Sequence, residues 1–279
     1  MKLSVIMTTY NSPEWLAKVL WGYSVQRHKD FEIIIGDDGS TEATRELIDT
    51  LRQETGLRIK HVWQPDQGFR KCRILNQSIL EADAEYIVFT DGDCIPRSDF
   101  LTVHANEARP GRYLSGGYHK LPPRTSAAIA KPDIISGQCF DLAWLKANGL
   151  PSSYKNAKLT AGPVTARLYN ALTPTKCNFK GSNGSAWRSD IMAINGFDER
   201  MAWGGLDREF GVRLANYGVK PKHVRYNAIV LHLHHERGYS DPQTVAANKA
   251  MRQRTESHKI VRTDHGISRP DDAQENTEK

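Results

Sequence analysis

The stretch Tyr86-Ile87-Val88-Phe89-Thr90-Asp91-Gly92-Asp93 decides the fold. Four apolar side chains run without interruption and end at two carboxylates around a glycine. A short apolar run bounded by a turn is the pattern of a strand buried on both faces. Upstream of it the sequence reads as a helix over about Arg70–Glu81, then a strand Leu57–Val62. Further back come a helix over about Glu42–Arg52, the isoleucine-rich strand Phe31–Ile35, a helix ending near Gln26 and a first strand Leu3–Met7. Ser12-Pro13-Glu14 is the start signal of that earliest helix, with Ser as cap, Pro at the first helical position and Glu in the first turn. Strands alternating with helices predict βαβ units and an α/β fold with a mostly parallel sheet. Ligands in such sheets bind beyond the carboxyl ends of the strands. The polar clusters Thr8–Asn11, Asp37–Thr41 and Asp91–Asp93 all fall there.

Beyond Asp93 the pattern is less regular. Arg112–Tyr118 reads as a strand, and scattered Pro and Gly up to residue 180 leave room for loops and a helix or two. From Phe179 come a Gly/Ser/Asn turn, a helix over about Ser189–Ile194, the turn Gly196–Glu199, a helix over about Leu206–Tyr217 and a strand Asn227–Leu233. Residues 268–279 are polar and are expected to fray. The chain has 279 residues, 39% apolar and 25% charged, which excludes global disorder. Its apolar runs fall far short of the ~18–20 residues of a membrane helix. The start MKLSVIMTTYN reads as a strand rather than a leader. Cys72, Cys94, Cys139 and Cys177 form no CxxC pair, so free thiols in a reducing, cytoplasmic setting are expected.

Charge is uneven. Residues 1–100 carry 12 basic and 16 acidic side chains, whereas residues 101–190 carry 12 basic and 4 acidic. Residues 211–262 carry 10 basic and 3 acidic. A basic second half suits an anionic partner such as a nucleoside diphosphate, a phosphorylated lipid or an anionic membrane face. Nucleic acid is not expected, because no helix-turn-helix, zinc-finger or RNP pattern is present.

Three clusters carry chemistry. Asp91 and Asp93, two apart at a strand end, can hold a hard divalent cation that bridges to phosphates, or can cap the strand as a polar loop. Leu231-His232-Leu233-His234-His235 follows another apolar strand, and imidazole suits Mn, Zn and Fe. In an extended chain His232 and His234 share one face and His235 the other; a turn would change that, so spacing leaves the ligand open. There is no HExxH, which weighs against a zinc hydrolase. In Trp203-Gly204-Gly205-Leu206-Asp207, the indole can face a sugar. Asp207, at a helix start, can act as a general base or simply complement the helix dipole.

Taken together and in order, these segments resemble family-2 glycosyltransferases with the GT-A fold. The resemblance rests on VIMTTYN at Val5–Asn11, DDGST at Asp37–Thr41, QGFRKCRILNQ at Gln67–Gln77 and TDGD at Thr90–Asp93. Residues 179–235 resemble the C-terminal half of β-1,4-galactosyltransferases and chondroitin-polymerase-like enzymes. There the carriers are Gly181–Arg188, Asn195–Glu199, Trp203–Asp207 and His232–His235. The resemblance implies one GT-A domain over residues 1–267, with a nucleotide-sugar half (1–110) and an acceptor half (111–267). It implies that Thr8, Tyr10, Asp38, Arg70, Asp91 and Asp93 bind the nucleotide-sugar. Mn²⁺ or Mg²⁺ is then expected on Asp93 and His235, with His232 as a supplementary ligand. Asp207 matches the catalytic base, and Gly181, Asn183, Trp203, Gly204 and Leu206 match donor and acceptor sugar contacts.

The implied activity is metal-dependent, inverting transfer of a hexose from a UDP-sugar to a hydroxyl of a glycan or glycolipid acceptor. Galactose or N-acetylgalactosamine is the preferred sugar, with glucose next, in bacterial surface polysaccharide or lipopolysaccharide synthesis. The enzyme is expected in the cytoplasm, in peripheral contact with an anionic membrane. Leu206 stands where the family has Glu, which bears on the acceptor. A catalytically silent paralogue acting as a scaffold is the alternative, and a nucleotidyltransferase is disfavoured by the absence of a Gly-rich loop after the first strand.

Overall fold

In a computed structural model of the chain, residues 1–236 and 241–267 are described. The polar tail 268–279 lies outside them. The first half follows the sequence reading closely. β1 (Leu3–Thr9), α1 (Pro13–Ser24), β2 (Phe31–Asp37), α2 (Glu42–Thr55), β3 (Ile59–Trp63), α3 (Lys71–Leu80) and β4 (Tyr86–Asp91) alternate as expected. β1 lies parallel between β2 and β4, and β3 extends the sheet beyond β2.

β1, β2 and β4 are buried on both faces, and their alternate side chains serve two cores. Leu3, Val5, Ile33, Ile35, Tyr86 and Val88 face the side covered by α1 and α2. Ile6, Ile34, Ile87 and Phe89 face the other side, against α3 and the C-terminal helices. Two-sided burial explains why these strands read as unbroken apolar runs. The buried polar pair Ser4 and Glu32 is satisfied: the Ser4 hydroxyl donates to Glu32 Oε1 (2.7 Å) and accepts from the Ala84 N–H (2.9 Å).

The second half differs from the expectation. β5 (Cys94–Pro96) and α4 (Phe100–Glu107) follow the Asp91–Asp93 turn. The expected strand Arg112–Tyr118 is two strands, β6 (Arg112–Ser115) and β7 (Gly117–Lys120), in different sheets. The break lies at Gly116, where a Cβ would sit 2.3 Å from the Asn183 amide. Short helices α5 (Pro123–Ala128), α6 (Lys131–Ser136), α7 (Leu142–Ala147) and α8 (Ala157–Thr160) precede α9 (Pro163–Leu172). β8 (Gly184–Trp187), α10 (Arg188–Ala193), α11 (Leu206–Asn216), β9 (Lys220–His223), β10 (Ile229–His232) and α12 (Pro242–Ser257) complete the described chain.

The large sheet has the order β3-β2-β1-β4-β8-β6-β9, with β8 antiparallel to both neighbours. A small sheet, β5-β10-β7, stands apart from it. A fully buried hydrogen-bond chain joins the two. Tyr86 donates to Ser185 Oγ (2.9 Å), which donates to His104 Nδ1 (2.8 Å). His104 Nε2 then donates to Asn183 Oδ1 (3.1 Å), and the Asn183 amide donates to the carbonyls of Gly117 (2.9 Å) and Ala228 (2.8 Å). This sequence of donors and acceptors requires a neutral imidazole. Burial lowers the His104 pKa to about 4, against the Asn183 hydrogen bond.

Candidate active site

The carboxyl ends of β1 and β4, the small sheet and the N-terminus of α11 enclose a cleft of about 1010 Å³. Thr8, Tyr10, Asp38, Asp91, Asp93, Gly181, Trp203, Gly204, Leu206, Asp207, His232 and His235 all line it, so the structure gathers most of the residues singled out from sequence.

Asp38 is buried at the end of β2. Burial pushes its carboxyl above the ordinary carboxylate range, opposed by Gln64 Nε2 (2.5 Å) and the Arg70 N–H (2.9 Å), which donate to it. Arg70 contributes through its backbone. Its guanidinium donates to the Pro65 carbonyl (2.6 Å) and does not line the cleft. The cation that enters the cleft is Lys71, whose Nζ sits 2.5 Å from Asp91 Oδ1. Thr8 Oγ1 donates to the same carboxylate oxygen (3.2 Å). Burial opposes the Lys71 charge, but Asp91, Asp93 and Asp207 more than compensate and raise its pKa. Gly92 is required sterically: its N–H donates to the Thr8 carbonyl (2.8 Å), and a Cβ there would lie 2.9 Å from that oxygen.

Asp93 meets the histidines. Its Oδ2 is 3.1 Å from His235 Nε2 and 3.6 Å from His232 Nε2, and the two rings stack at 5.3 Å. β10 ends at His232, so the chain turns and brings His235 back to the same side; the sequence left this choice open. The His234 N–H donates to Ser126 Oγ, and His234 does not line the cleft. Each lining ring has its Nδ1 against a carbonyl, His232 on Leu233 (2.7 Å) and His235 on Glu236 (2.9 Å). A carbonyl only accepts, so each Nδ1 carries a proton, and Nε2 is the ring atom each histidine turns toward Asp93. Two ring nitrogens and a carboxylate oxygen converge on one point, a donor set that could hold a cation. Burial would raise the Asp93 carboxyl, but His235 and His232 hold it below the usual range. Cys94 Sγ lies against Asp93 Oδ1 (3.3 Å), and ligand atoms of Asp93, Cys94 and His232 lie within 4.8 Å of one another.

Across the cleft, Asp207 occupies the first turn of α11. Its carboxylate accepts from the Arg208 N–H (2.9 Å) and, more weakly, the Gly181 N–H (3.4 Å). Those bonds leave acceptor capacity free at a helix N-terminus, where a negative charge is stabilised. Asn183 does not line the cleft. It is fully buried, and all its polar atoms are committed to the chain joining the two sheets. The expectation that it contacts sugar is therefore corrected: it supports the cleft from beneath.

Other lining residues had escaped the sequence reading. Lys180 enters beside Asp207; burial lowers its pKa while Asp207 raises it. Tyr118 packs on the His232 ring at 4.8 Å. α12 supplies Lys249 and Arg252, and its Asn248 amide lies 3.0–3.1 Å from the carbonyls of Ala202, Trp203 and Gly204. That amide fixes the loop carrying Trp203. The only cue in sequence is a polar side chain amid a polar helix, which periodicity does not single out.

Comparison with known proteins gives two family matches. Residues 4–120 match the model for glycosyl transferase family 2, and residues 171–236 match that for the N-terminal domain of galactosyltransferase. Validoxylamine A glucosyltransferase of Streptomyces hygroscopicus subsp. jinggangensis is 30% identical over 249 residues, 84% of this chain and 56% of that protein. The chain spans about half the length of the curated relatives it matches. Among solved structures, the mannosyltransferase PcManGT from Pyrobaculum calidifontis, in complex with GDP-Man and Mn²⁺, aligns with a TM-score of 0.59 at 17% identity, over 93% of this chain and 72% of that one. S. aureus TarS in complex with UDP-GlcNAc aligns with a TM-score of 0.60 at 16% identity, over 94% and 70%. At these identities the likeness is one of fold.

Proposed function

We propose that this chain, whose residues 4–120 belong to glycosyl transferase family 2 and whose fold is GT-A, moves a hexose from a UDP-sugar to a hydroxyl of a glycan acceptor with inversion. The observation that carries this reading is the convergence of Asp93, His232 and His235 at one end of a cleft whose other wall presents Asp207. Asp93, His232 and His235 would hold Mn²⁺ or Mg²⁺. When bound, that ion supplies positive charge against the diphosphate as it leaves.

The chain's own residues do the rest. Thr8, Tyr10 and Asp38 shape the nucleotide end of the cleft, and Asp91 faces it beside Lys71. Lys71 and Lys180 stabilise negative charge developing on the leaving diphosphate. Asp207 accepts the proton of the acceptor hydroxyl as its oxygen attacks the anomeric carbon from the face opposite the nucleotide. Trp203 offers an apolar face to a sugar ring. Leu206, part of the core beneath α11, removes a carboxylate from the acceptor side and selects for a less polar approach. The surface-polysaccharide pathway remains the setting in which such an acceptor is sought. Among the described residues no helix is long and apolar enough to cross a membrane.

The test is UDP release and glycan product from a panel of UDP-glucose, UDP-galactose, UDP-N-acetylgalactosamine and UDP-N-acetylglucosamine, with Mn²⁺ and with EDTA. Metal-dependent transfer from one sugar is expected, with Asp93→Asn abolishing both transfer and metal-enhanced UDP binding. Full activity in EDTA would overturn the metal assignment. UDP binding without turnover on any donor and a broad acceptor panel would favour a scaffold role.

A further inference from the structure

α9 turns its apolar face outward. Ala166 is buried and Asn170 half-buried against the body, with Asn170 donating to Asn227 Oδ1 (2.9 Å). On a helix of 3.6 residues per turn, Val164, Leu168 and Leu172 form one stripe opposite those anchors. They are 81%, 53% and 70% exposed. A surface helix ordinarily buries such a stripe. The segment is also free of acidic residues: residues 142–189 contain seven Lys or Arg and no Asp or Glu. Arg167 lies next to the stripe, three residues from Val164 on the helix surface. Tyr154, also exposed, carries the Lys155 ammonium over its ring.

An exposed leucine–valine stripe alone would suit many partners. Its setting in a 48-residue acid-free segment selects one. We propose that α9 lies in the interface of an anionic lipid bilayer, with Val164, Leu168 and Leu172 among the acyl chains and the exposed cations of the segment, Arg167 and Lys155, among anionic headgroups. Apolar area and basic charge act together in such interfacial helices, and neither alone gives firm attachment. The position is also useful. The chain leaves α9 and runs directly to Lys180 and Gly181 of the cleft. Lys158 of the same segment donates to the carbonyl of Tyr118, another cleft residue. The bilayer would therefore hold the wall beside Asp207 near the membrane surface.

The experiment is co-sedimentation of the full chain with vesicles of phosphatidylcholine alone or with about 30% phosphatidylglycerol. The comparison is with Leu168→Glu/Leu172→Glu, whose sites lie outside the cleft and in solvent, so the melting temperature and UDP binding should match wild type. Expected are binding to anionic vesicles only, a drop of about tenfold or more in the double variant, and a similar loss in about 0.5 M salt. Equal binding of wild type and variant, equal binding to neutral and anionic vesicles, or no binding to either would overturn the proposal. So would self-association of the wild type that the double variant abolishes, since a second copy would then cover the stripe. Vesicle binding is read without turnover, so its outcome is separate from that of the catalytic reading.

Discussion

Asn183→Ala separates a sugar-contacting role from a scaffolding one. The substitution removes the acceptor of His104 Nε2 and the donors to the Gly117 and Ala228 carbonyls. All lie in a region with no solvent access to the Asn183 side chain. A buried polar group left without a partner costs ~1–3 kcal/mol. Three such groups, partly relieved by relaxation, give about 3–5 kcal/mol of lost stability. For a chain of this size each kcal/mol shifts the melting temperature by roughly 2 °C, so the expected fall is about 6–10 °C. Thermal unfolding followed by circular dichroism reads the shift, and urea denaturation reads the free energy. Below its transition the variant should still bind UDP, because Asn183 does not line the cleft. A loss under about 1 kcal/mol combined with abolished sugar transfer would refute the argument. That result would return Asn183 to the role expected from sequence.

Other perturbations act at distinct places. Asp207→Asn should retain UDP binding and lose transfer by about 10²–10⁴-fold, as expected for a general base; transfer at the wild-type rate would place the base elsewhere. Arg213→Met strands the buried Glu209 carboxylate that Arg213 Nε and Nη2 otherwise hold (2.9–3.0 Å), and should cost about 3–5 kcal/mol in urea denaturation. Adding Glu209→Gln should recover much of that loss, and no recovery would mean that the carbonyls of Ile194 and Gly196, which Arg213 Nη1 also serves, dominate. His104 gives a pH dependence. Its folded pKa of about 4 lies below the usual 6.5, so the unfolded chain takes up a proton first as pH falls. Stability is then complete above pH ~6.5 and declines toward pH ~4, by about 3 kcal/mol in all. Urea midpoints across that range should fall less steeply in His104→Gln, and an unchanged slope would remove His104 as the neutral link.

The sequence was most informative where burial is two-sided and connections are short. β1, β2 and β4 are nearly continuous apolar runs, alternating with helices set off by cap and turn residues, so periodicity and punctuation agree. Family resemblance then extended the reading across residues 179–235, a segment that the galactosyltransferase model also matches. What escaped has a common physical cause. The split of Arg112–Tyr118 depends on Asn183 packing against Gly116, a contact 67 residues away in sequence. α12 is polar along most of its length, so no apolar stripe announced it; its role comes from one amide beneath the Trp203 loop. Arg70 and Lys71 are equal as charges, and only the start of α3 decides that Lys71 points into the cleft. Asn183 sits inside a motif that resembles sugar-binding sequences, and nothing short of its burial distinguishes support from contact.

The convergence of Asp93 with His232 follows from strand register rather than from local sequence. In the antiparallel pairing of β10 with β5, His232 stands opposite Cys94, directly after Asp93. The Leu233 N–H donates to the Asp93 carbonyl (2.9 Å), and the Arg97 N–H to the Ile229 carbonyl (3.0 Å), so the pairing is pinned at both ends. A slip of one residue would put Leu231 or Leu233 where His232 stands and turn the imidazole away. β7 holds the other side of β10, with the Leu121 N–H donating to the His232 carbonyl (2.9 Å). The Asn183 amide grips Ala228, just before β10, and Gly117, the first residue of β7. The chain from Tyr86 through Ser185 and His104 therefore fixes the starting points of two of the three strands that set the donor geometry. A residue that touches neither metal nor sugar thus governs where both would sit. On this argument Asn183→Ala should weaken metal-enhanced UDP binding more than metal-free UDP binding, even at temperatures where the variant is fully folded. Equal weakening of both would show that β5 and β7 hold the register of β10 without help from the buried chain.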